Sequence, residues 1–169
     1  MLPKINKILY ATGMGPGAPY VFRYALSLAQ QHEAEIVAVS AIEPLSTFAQ
    51  NLVELHISHQ QSDEIHAQAQ AQAREKLLRR IEQLCAKESQ SDPHGAERVS
   101  EILIEEGQPT QVILKTAKNH RADLIIMGSH RHTVIGDAVL GTTTHKVLHS
   151  AEIPVLVVRI PEGYTEEIA

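Results

Sequence analysis

Cysteine, basic clusters and long apolar runs are nearly absent from this sequence. Cys85 is the only cysteine, so no disulfide can form within the chain, and a cytoplasmic location is expected. No apolar run approaches the roughly 20 residues that span a bilayer, and the N-terminus lacks the apolar segment of a secretory signal. The formal net charge is −5 and no basic patch stands out. These features argue against nucleic acid and anionic membranes as partners.

Catalytic motifs are missing as well. The sequence contains neither the G-x-S-x-G turn of a hydrolase nor a G-x-x-x-x-G-K-[ST] phosphate loop. Cys85 falls on the apolar side of a predicted helix, where a core role is expected rather than a nucleophile. Asp137 has no nucleophile to pair with and is expected to cap a helix. We therefore predict no catalytic residues, and a weak ATPase is the least supported alternative.

Apolar runs that alternate with helical patterns predict the fold. Each run is continuous rather than alternating, as is typical of a parallel sheet that is covered on both faces. The predicted class is a single doubly wound, Rossmann-like α/β domain with a five-stranded parallel sheet and helices on both faces. The predicted strands are 8–12, 35–42, 99–105, 124–127 and 154–158, and the predicted helices are 16–31, a long helix capped by Ser62, 110–119, and one within 136–150.

Two segments fall outside this alternation. Residues 44–61 are apolar but broken, and we predict a partly helical insert. Residues 160–169 are polar, and we predict a flexible tail. The last strand, from Pro154 to Val158, begins with a proline that lacks a donor N–H, which favours an edge position in the sheet.

Small and hydroxyl residues gather where the fourth strand ends and the last helix begins. Gly128 and Ser129 follow the strand, and Gly141 precedes three threonines, Thr142 to Thr144. Glycines allow an anion to approach the backbone N–H groups, and a helix N-terminus is electropositive. Ligands of doubly wound sheets bind at the carboxyl ends of the strands, at the switch point. The sequence therefore predicts a phosphate site in a crevice between residues 12–17 and 128–132.

Three segments, ILYAT at 8–12, IIMGSH at 125–130 and LGTTTHKVLHSAEIPVLVVR at 140–159, resemble the universal stress protein family. The resemblance implies an adenine nucleotide alpha hydrolase-like fold, a small stress-response or regulatory role, binding of ATP or another adenine nucleotide, and a homodimer formed through the last strand. The family motif is Gly, two residues, Gly, nine residues, Gly and then Ser or Thr. The residues that the resemblance implies for the nucleotide site are Ala11, Gly13, Ala41, Met127, Gly128, Arg131, Gly141, Thr142 and Thr143.

Two of these positions depart from the family pattern. Arg131 stands where the motif has its middle glycine, and Gly13 stands where nucleotide-binding members have an aspartate that contacts the nucleoside. Arg131 has two interpretations: its guanidinium reaches a phosphate, or its side chain fills the site that glycine leaves open. The second interpretation favours an alternative function, an adaptor dimer with a vacant site that meets an unknown protein partner through the 44–61 insert or the histidine-rich surface.

Two further patterns suggest other ligands. Residues 13–18 match the dinucleotide fingerprint G-x-G-x-x-A, but Glu43 lies later than the acidic residue of that motif, so a dinucleotide is a minor alternative. Ten histidines include the pairs His56/His59 and His145/His149, whose spacing would place two imidazoles on one helix face. No set of three or four metal ligands is evident, so we predict surface histidines and no metal site.

Overall fold

The computed structural model describes residues 1–129, 140–166 and 168. Within these residues, five parallel strands form one sheet in the order β3-β2-β1-β4-β5. This topology confirms the predicted doubly wound α/β class. The strands are β1 (Lys7–Ala11), β2 (Glu35–Ile42), β3 (Val99–Glu106), β4 (Leu124–Gly128) and β5 (Val155–Val158).

Helices cover both faces of the sheet and create two apolar cores. The helices are α1 (Ala18–His32), α2 (Thr47–Glu54), α3 (His59–Lys87), α4 (Gly95–Arg98), α5 (Pro109–Asn119) and α6 (Thr142–Ser150). On one face, α1 and α3 pack side chains such as Phe22 and Leu77 against Ile8. On the other face, α5 and α6 pack Ile113 and Val147 against the sheet. Burial on both sides explains why the strands read as continuous apolar runs.

The switch point of the sheet lies at β1. The chain leaves β1 for β2 on one side and later returns to its other side as β4. Ala11, the last residue of β1, pairs with Val39 of β2 and with Met127 of β4. The connection from β1 to β2 runs through α1 on one face of the sheet, and the connection from β3 to β4 runs through α5 on the other face. A crevice therefore opens beyond Ala11, where such folds bind ligands.

The long helix α3 begins earlier than the sequence predicted. Ser58, not Ser62, is its N-cap: the Ser58 hydroxyl accepts a hydrogen bond from the Gln61 N–H, and the Gln61 side-chain oxygen accepts one from the Ser58 N–H. This capping box satisfies two donors at once. Ser62 lies inside the first turns, where its N–H donates to the Ser58 carbonyl at 3.0 Å. The prediction of Ser62 as the cap was therefore wrong by one helical turn.

The first helix also begins later than predicted. It starts at Ala18 after the N-cap Gly17, so Pro19, rather than Pro16, lies in its first turn. Within the predicted insert 44–61, the structure contains α2, which is capped by the Ser46 hydroxyl. Among the residues that the structure describes, no helix combines the length and apolar character needed to cross a bilayer.

The described part of the C-terminal segment 160–169, for which the sequence predicts a flexible tail, contacts the domain. Ile160 packs beside Gly17 and Gly128. The Glu166 carboxylate forms ion pairs with Arg23 and Lys87. The polar composition of the segment gives no sign of these contacts, because the partners lie far away in the sequence and are brought close only by the fold.

Candidate functional site

A cleft of about 510 Å³ opens at the carboxyl end of the sheet, within the range of small-molecule sites. The ends of β1, β2 and β4, the first turns of α1, α5 and α6, and the C-terminal segment form its walls. The lining residues are Tyr10, Ala11, Thr12, Gly13, Gly15, Pro16, Gly17, Ala18, Val21, Val39, Ala41, Pro109, Ile113, Met127, Gly128, Ser129, Thr143, Ile160, Tyr164 and Thr165.

Apolar side chains at the strand ends form part of the cleft lining. Strand register places Ala11 between Val39 and Met127, and all three side chains belong to the core on the α5 side. Ala41, two residues beyond Val39, lines the same wall, and Ile113 of α5 faces it. Small and unbranched side chains at Ala11 and Ala41 leave room beside Met127. The surface thus formed suits a flat apolar group such as a nucleobase.

Glycines, hydroxyls and the first turn of a helix form another part of the cleft lining. Gly128 and Ser129 follow β4, and Thr143 projects from the first turn of α6. The buried Thr144 hydroxyl donates to the Gly128 carbonyl at 3.3 Å, which fastens the start of α6 to the end of β4. An electropositive helix terminus is therefore held beside the strand end. Gly141 is the N-cap of α6.

Gly17 and Gly128 form a notch that another side chain fills. A Cβ atom on Gly17 would lie 2.4 Å from Ile160 Cδ1, and one on Gly128 would lie 2.8 Å from Val21 Cγ2 and 3.2 Å from Ile160 Cδ1. A side chain at Gly17 would displace Ile160, and one at Gly128 would meet both Ile160 and the buried Val21. From the sequence, glycine at position 128 is explained by the close approach of an anion. The packing of α1 and the C-terminal segment against Gly128 is a second reason for a glycine there.

Hydrogen bonds from neighbouring residues and from α3 hold the loop between β1 and α1 in place. Met14 has a left-handed backbone with φ of 57°, and its N–H donates to the Thr12 hydroxyl at 3.0 Å. The Arg80 guanidinium of α3 donates to the Met14 carbonyl. Burial raises the pKa of Tyr10 to about 12, so this phenol stays neutral and donates to the Ala18 carbonyl at 3.1 Å. These contacts fix the position of Gly13 in the cleft wall.

The described lining contains no charged side chain, and its polar side chains are all hydroxyls. Arg131, together with His130, His132, Gly136 and Asp137, lies outside the described residues. A role for Arg131 beside a phosphate therefore remains a prediction. In the described part of the chain, no three His, Cys, Asp or Glu side chains cluster as a metal site would require. His145 and His149 of α6 are exposed.

Six of the nine residues that the sequence proposed for the site line this cleft: Ala11, Gly13, Ala41, Met127, Gly128 and Thr143. Gly141 and the exposed Thr142 stand next to it at the start of α6, outside the lining. Sequence reasoning missed Val39, which alternation along β2 could have found two residues before Ala41. It also missed Ile160, Tyr164 and Thr165, for which no local pattern gives a signal.

Comparison with known proteins identifies the family. The model of the universal stress protein family matches residues 4–159, which include every strand of the sheet. The chain belongs to the universal stress protein family. Universal stress protein A homolog 2 of Coxiella burnetii is 29% identical over 158 residues, which cover 92% of this chain and 95% of that protein.

Solved structures share the fold along nearly the whole length of this chain. The structure of protein MJ0577 of Methanocaldococcus jannaschii superposes with a TM-score of 0.69 at 24% identity, and the match covers 95% of this chain and 100% of that one. A universal stress protein crystallised in complex with cAMP superposes with a TM-score of 0.54 at 14% identity, covering 94% and 100%. At these identities the likeness shows a common fold.

Proposed function

We propose that this universal stress protein binds an adenine nucleotide in the cleft and acts as a dimeric regulatory protein in the cytoplasm. One observation carries the proposal: a single cleft is lined both by apolar side chains and by glycines, hydroxyls and the first turn of α6. A nucleotide has the same division, because its base is flat and weakly polar while its phosphates are anionic. The complex of a family member with cAMP, itself an adenine nucleotide, supports this choice of ligand.

The base would lie against Ala11, Ala41 and Met127. These side chains expose apolar surface at the ends of adjacent strands. Since Gly13 supplies no carboxylate, the ribose hydroxyls would have to use backbone groups or the hydroxyls of the lining. A ribose whose hydroxyls have no carboxylate to donate to is expected to bind more weakly than one held by an aspartate.

The phosphates would lie towards Ser129 and Thr143. Backbone N–H groups at a helix start and hydroxyl donors satisfy phosphate oxygens without a cation, and the helix dipole favours the negative charge. Gly141 and Thr142 contribute by placing Thr143 in the first turn of α6. Arg131 lies two residues after Ser129 in the sequence, and a guanidinium that contacted the phosphates would strengthen their binding.

Nucleotide release and calorimetry test the binding proposal. The protein is purified without added nucleotide and denatured, and the supernatant is analysed for ATP, ADP and AMP; ATP is then titrated into nucleotide-free protein. We expect released nucleotide, saturable heat, or both. Ala41→Phe should abolish binding by filling the base end, whereas Ala69→Phe on the exposed face of α3 is the matched control. No released nucleotide and no heat at millimolar ATP would favour the adaptor with a vacant site.

Arg131→Gly separates the two roles of the arginine. A loss of ATP affinity means that the guanidinium contacts phosphate, and a gain means that the side chain obstructs the site. Adenosine, which has no phosphate, serves as the control ligand. Its affinity should be unchanged if Arg131 acts on phosphate, and should rise together with that of ATP if Arg131 obstructs the cleft.

The dimer is proposed through β5, which lies at the edge of the sheet beside β4. Val155, Leu156 and Val157 are only half-buried, and an open apolar strand edge favours pairing with another strand. Sedimentation velocity at micromolar concentration should give the mass of two chains. A monodisperse monomer under these conditions would contradict the dimer without affecting the nucleotide site.

A further inference from the structure

The segment from Ile160 to Glu166, here called the strap, forms one wall of the cleft. Ile160, Tyr164 and Thr165 line it directly. Backbone hydrogen bonds join the chain to the sheet as far as Val158, whose carbonyl accepts from the Ser129 N–H at 3.0 Å. Beyond that point, the Tyr164 N–H donates to the Pro161 carbonyl at 3.2 Å, a bond that closes a turn within the strap itself.

Side chains hold the strap against α1. The Arg23 guanidinium donates to both oxygens of Glu166, at 2.6 Å from Nη1 and 3.1 Å from Nη2, and also to the Tyr164 hydroxyl at 3.1 Å. Lys87 of α3 contacts the same carboxylate at 2.8 Å. Glu88 fixes the other side of the guanidinium through Nε at 2.6 Å. Bidentate pairing of partly buried groups makes this cluster stronger than an ordinary surface ion pair.

Apolar and aromatic contacts fix the position of the strap beside the cleft. Ile160 lies in the notch of Gly17 and Gly128. The Tyr164 ring meets the Tyr20 ring edge-on, with centroids 5.2 Å apart. The strap is thus located at both ends, by Ile160 beside the sheet and by Glu166 beside Arg23. Loss of the Arg23 contacts would weaken the attachment of its outer half, where Lys87 and Tyr20 would remain as partners, while leaving the sheet intact.

We propose that the strap is part of the ligand site, with Tyr164 and Thr165 facing the bound molecule and Arg23 acting as a positioning residue that sets how long the ligand stays. The proposal rests on the proposed function, because the ligand is taken to be an adenine nucleotide. Arg23 itself lies outside the lining of the cleft. Its effect therefore passes through Tyr164 and Glu166, and should appear in the dissociation rate more than in the association rate.

Two readouts test the strap on the full-length protein. The first is independent of ligand: trypsin cleaves after the exposed Arg159, and mass spectrometry measures how fast residues 160–169 are released. The second is the dissociation rate of N-methylanthraniloyl-ATP in a stopped-flow chase with excess ATP. Arg23→Gln and Glu166→Gln are compared with Glu75→Gln, which breaks the exposed α3 pair with Arg79.

We expect both strap variants to release the peptide, and to lose the bound analogue, roughly tenfold faster than wild type, while Glu75→Gln changes neither rate. If Arg23→Gln does not fold by circular dichroism, Glu166→Gln decides. Faster peptide release with an unchanged dissociation rate would overturn the proposal while leaving the nucleotide site in place. Equal peptide release in wild type and variants would overturn it too. A wild type that binds no analogue defeats the proposed function and this inference with it.

Discussion

Replacing Gly128 by alanine tests how closely the end of β4 is packed against α1. The new Cβ would lie 2.8 Å from Cγ2 of Val21 and 3.2 Å from Cδ1 of Ile160. Ile160 can move because its end is flexible, but Val21 is short, branched and only 3% exposed. Helix α1 must therefore shift away from the sheet. Inserting a methyl group into a packed site of this kind costs about 1–3 kcal/mol of unfolding free energy.

A double-mutant cycle of Gly128→Ala with Val21→Ala measures the coupling free energy between the two positions. Val21→Ala alone removes two buried methyl groups and should cost about 2 kcal/mol. In the double variant, the alanine at position 128 occupies part of the space that Val21 vacates. The double variant should therefore be more stable than the sum of the single effects by about 1 kcal/mol or more.

Urea unfolding at 25 °C, followed by circular dichroism with the slopes of the transitions compared, measures all four proteins. Gly15→Ala is the control, because a Cβ at Gly15 meets nothing within 4 Å. It should be neutral, or stabilising by about 0.4–1 kcal/mol through the unfolded chain. Additive effects of Gly128→Ala and Val21→Ala, or a Gly15→Ala variant as unstable as Gly128→Ala, would refute the packing account.

Three smaller tests concern capping, charge and the buried thiol. Ser58→Ala should lower stability by about 1 kcal/mol because it removes the N-cap of α3, whereas Ser62→Ala should have little effect; urea unfolding compares them. Hydrogen bonding from Arg23 holds the pKa of Glu166 well below its usual range, so its stabilisation is present above about pH 4.3 and is lost as the pH falls through the lowered value. The stability difference between wild type and Glu166→Gln should therefore be full at pH 6 and shrink below about pH 4; a difference that grows on acidification would contradict this. Burial raises the pKa of Cys85 to about 11, so the native thiol should resist Ellman's reagent at pH 8 and react fully in urea.

The sequence predicts the sheet well because its signals are local. Continuous apolar runs mark each strand, and the observed bounds differ from the predicted ones by one residue at five of the ten ends. Helix starts are less predictable, since two serines four residues apart both precede polar helical sequence. Only Ser58 has a glutamine three residues on that can complete a capping box, and this reciprocal contact decides the start of α3.

Only part of the candidate site can be predicted from the sequence. Gly128 and Thr143 stand out because small and hydroxyl residues interrupt apolar segments at a strand end and a helix start. The strap does not, because Ile160 and Glu166 find their partners Gly17 and Arg23 more than 140 residues away along the chain. Polar composition then indicates only a tail, whereas the fold brings a carboxylate to a guanidinium.

The central claim is that an adenine nucleotide occupies the cleft at the switch point of the sheet. A ¹H–¹⁵N correlation experiment with increasing ATP tests both binding and place. The account predicts saturable shifts at the amides of 11–15, 17–18, 128–129 and 142–143, and at Tyr164 and Thr165 of the strap. No shifts at millimolar ATP, or shifts confined to surfaces away from these residues, such as α2, would contradict it.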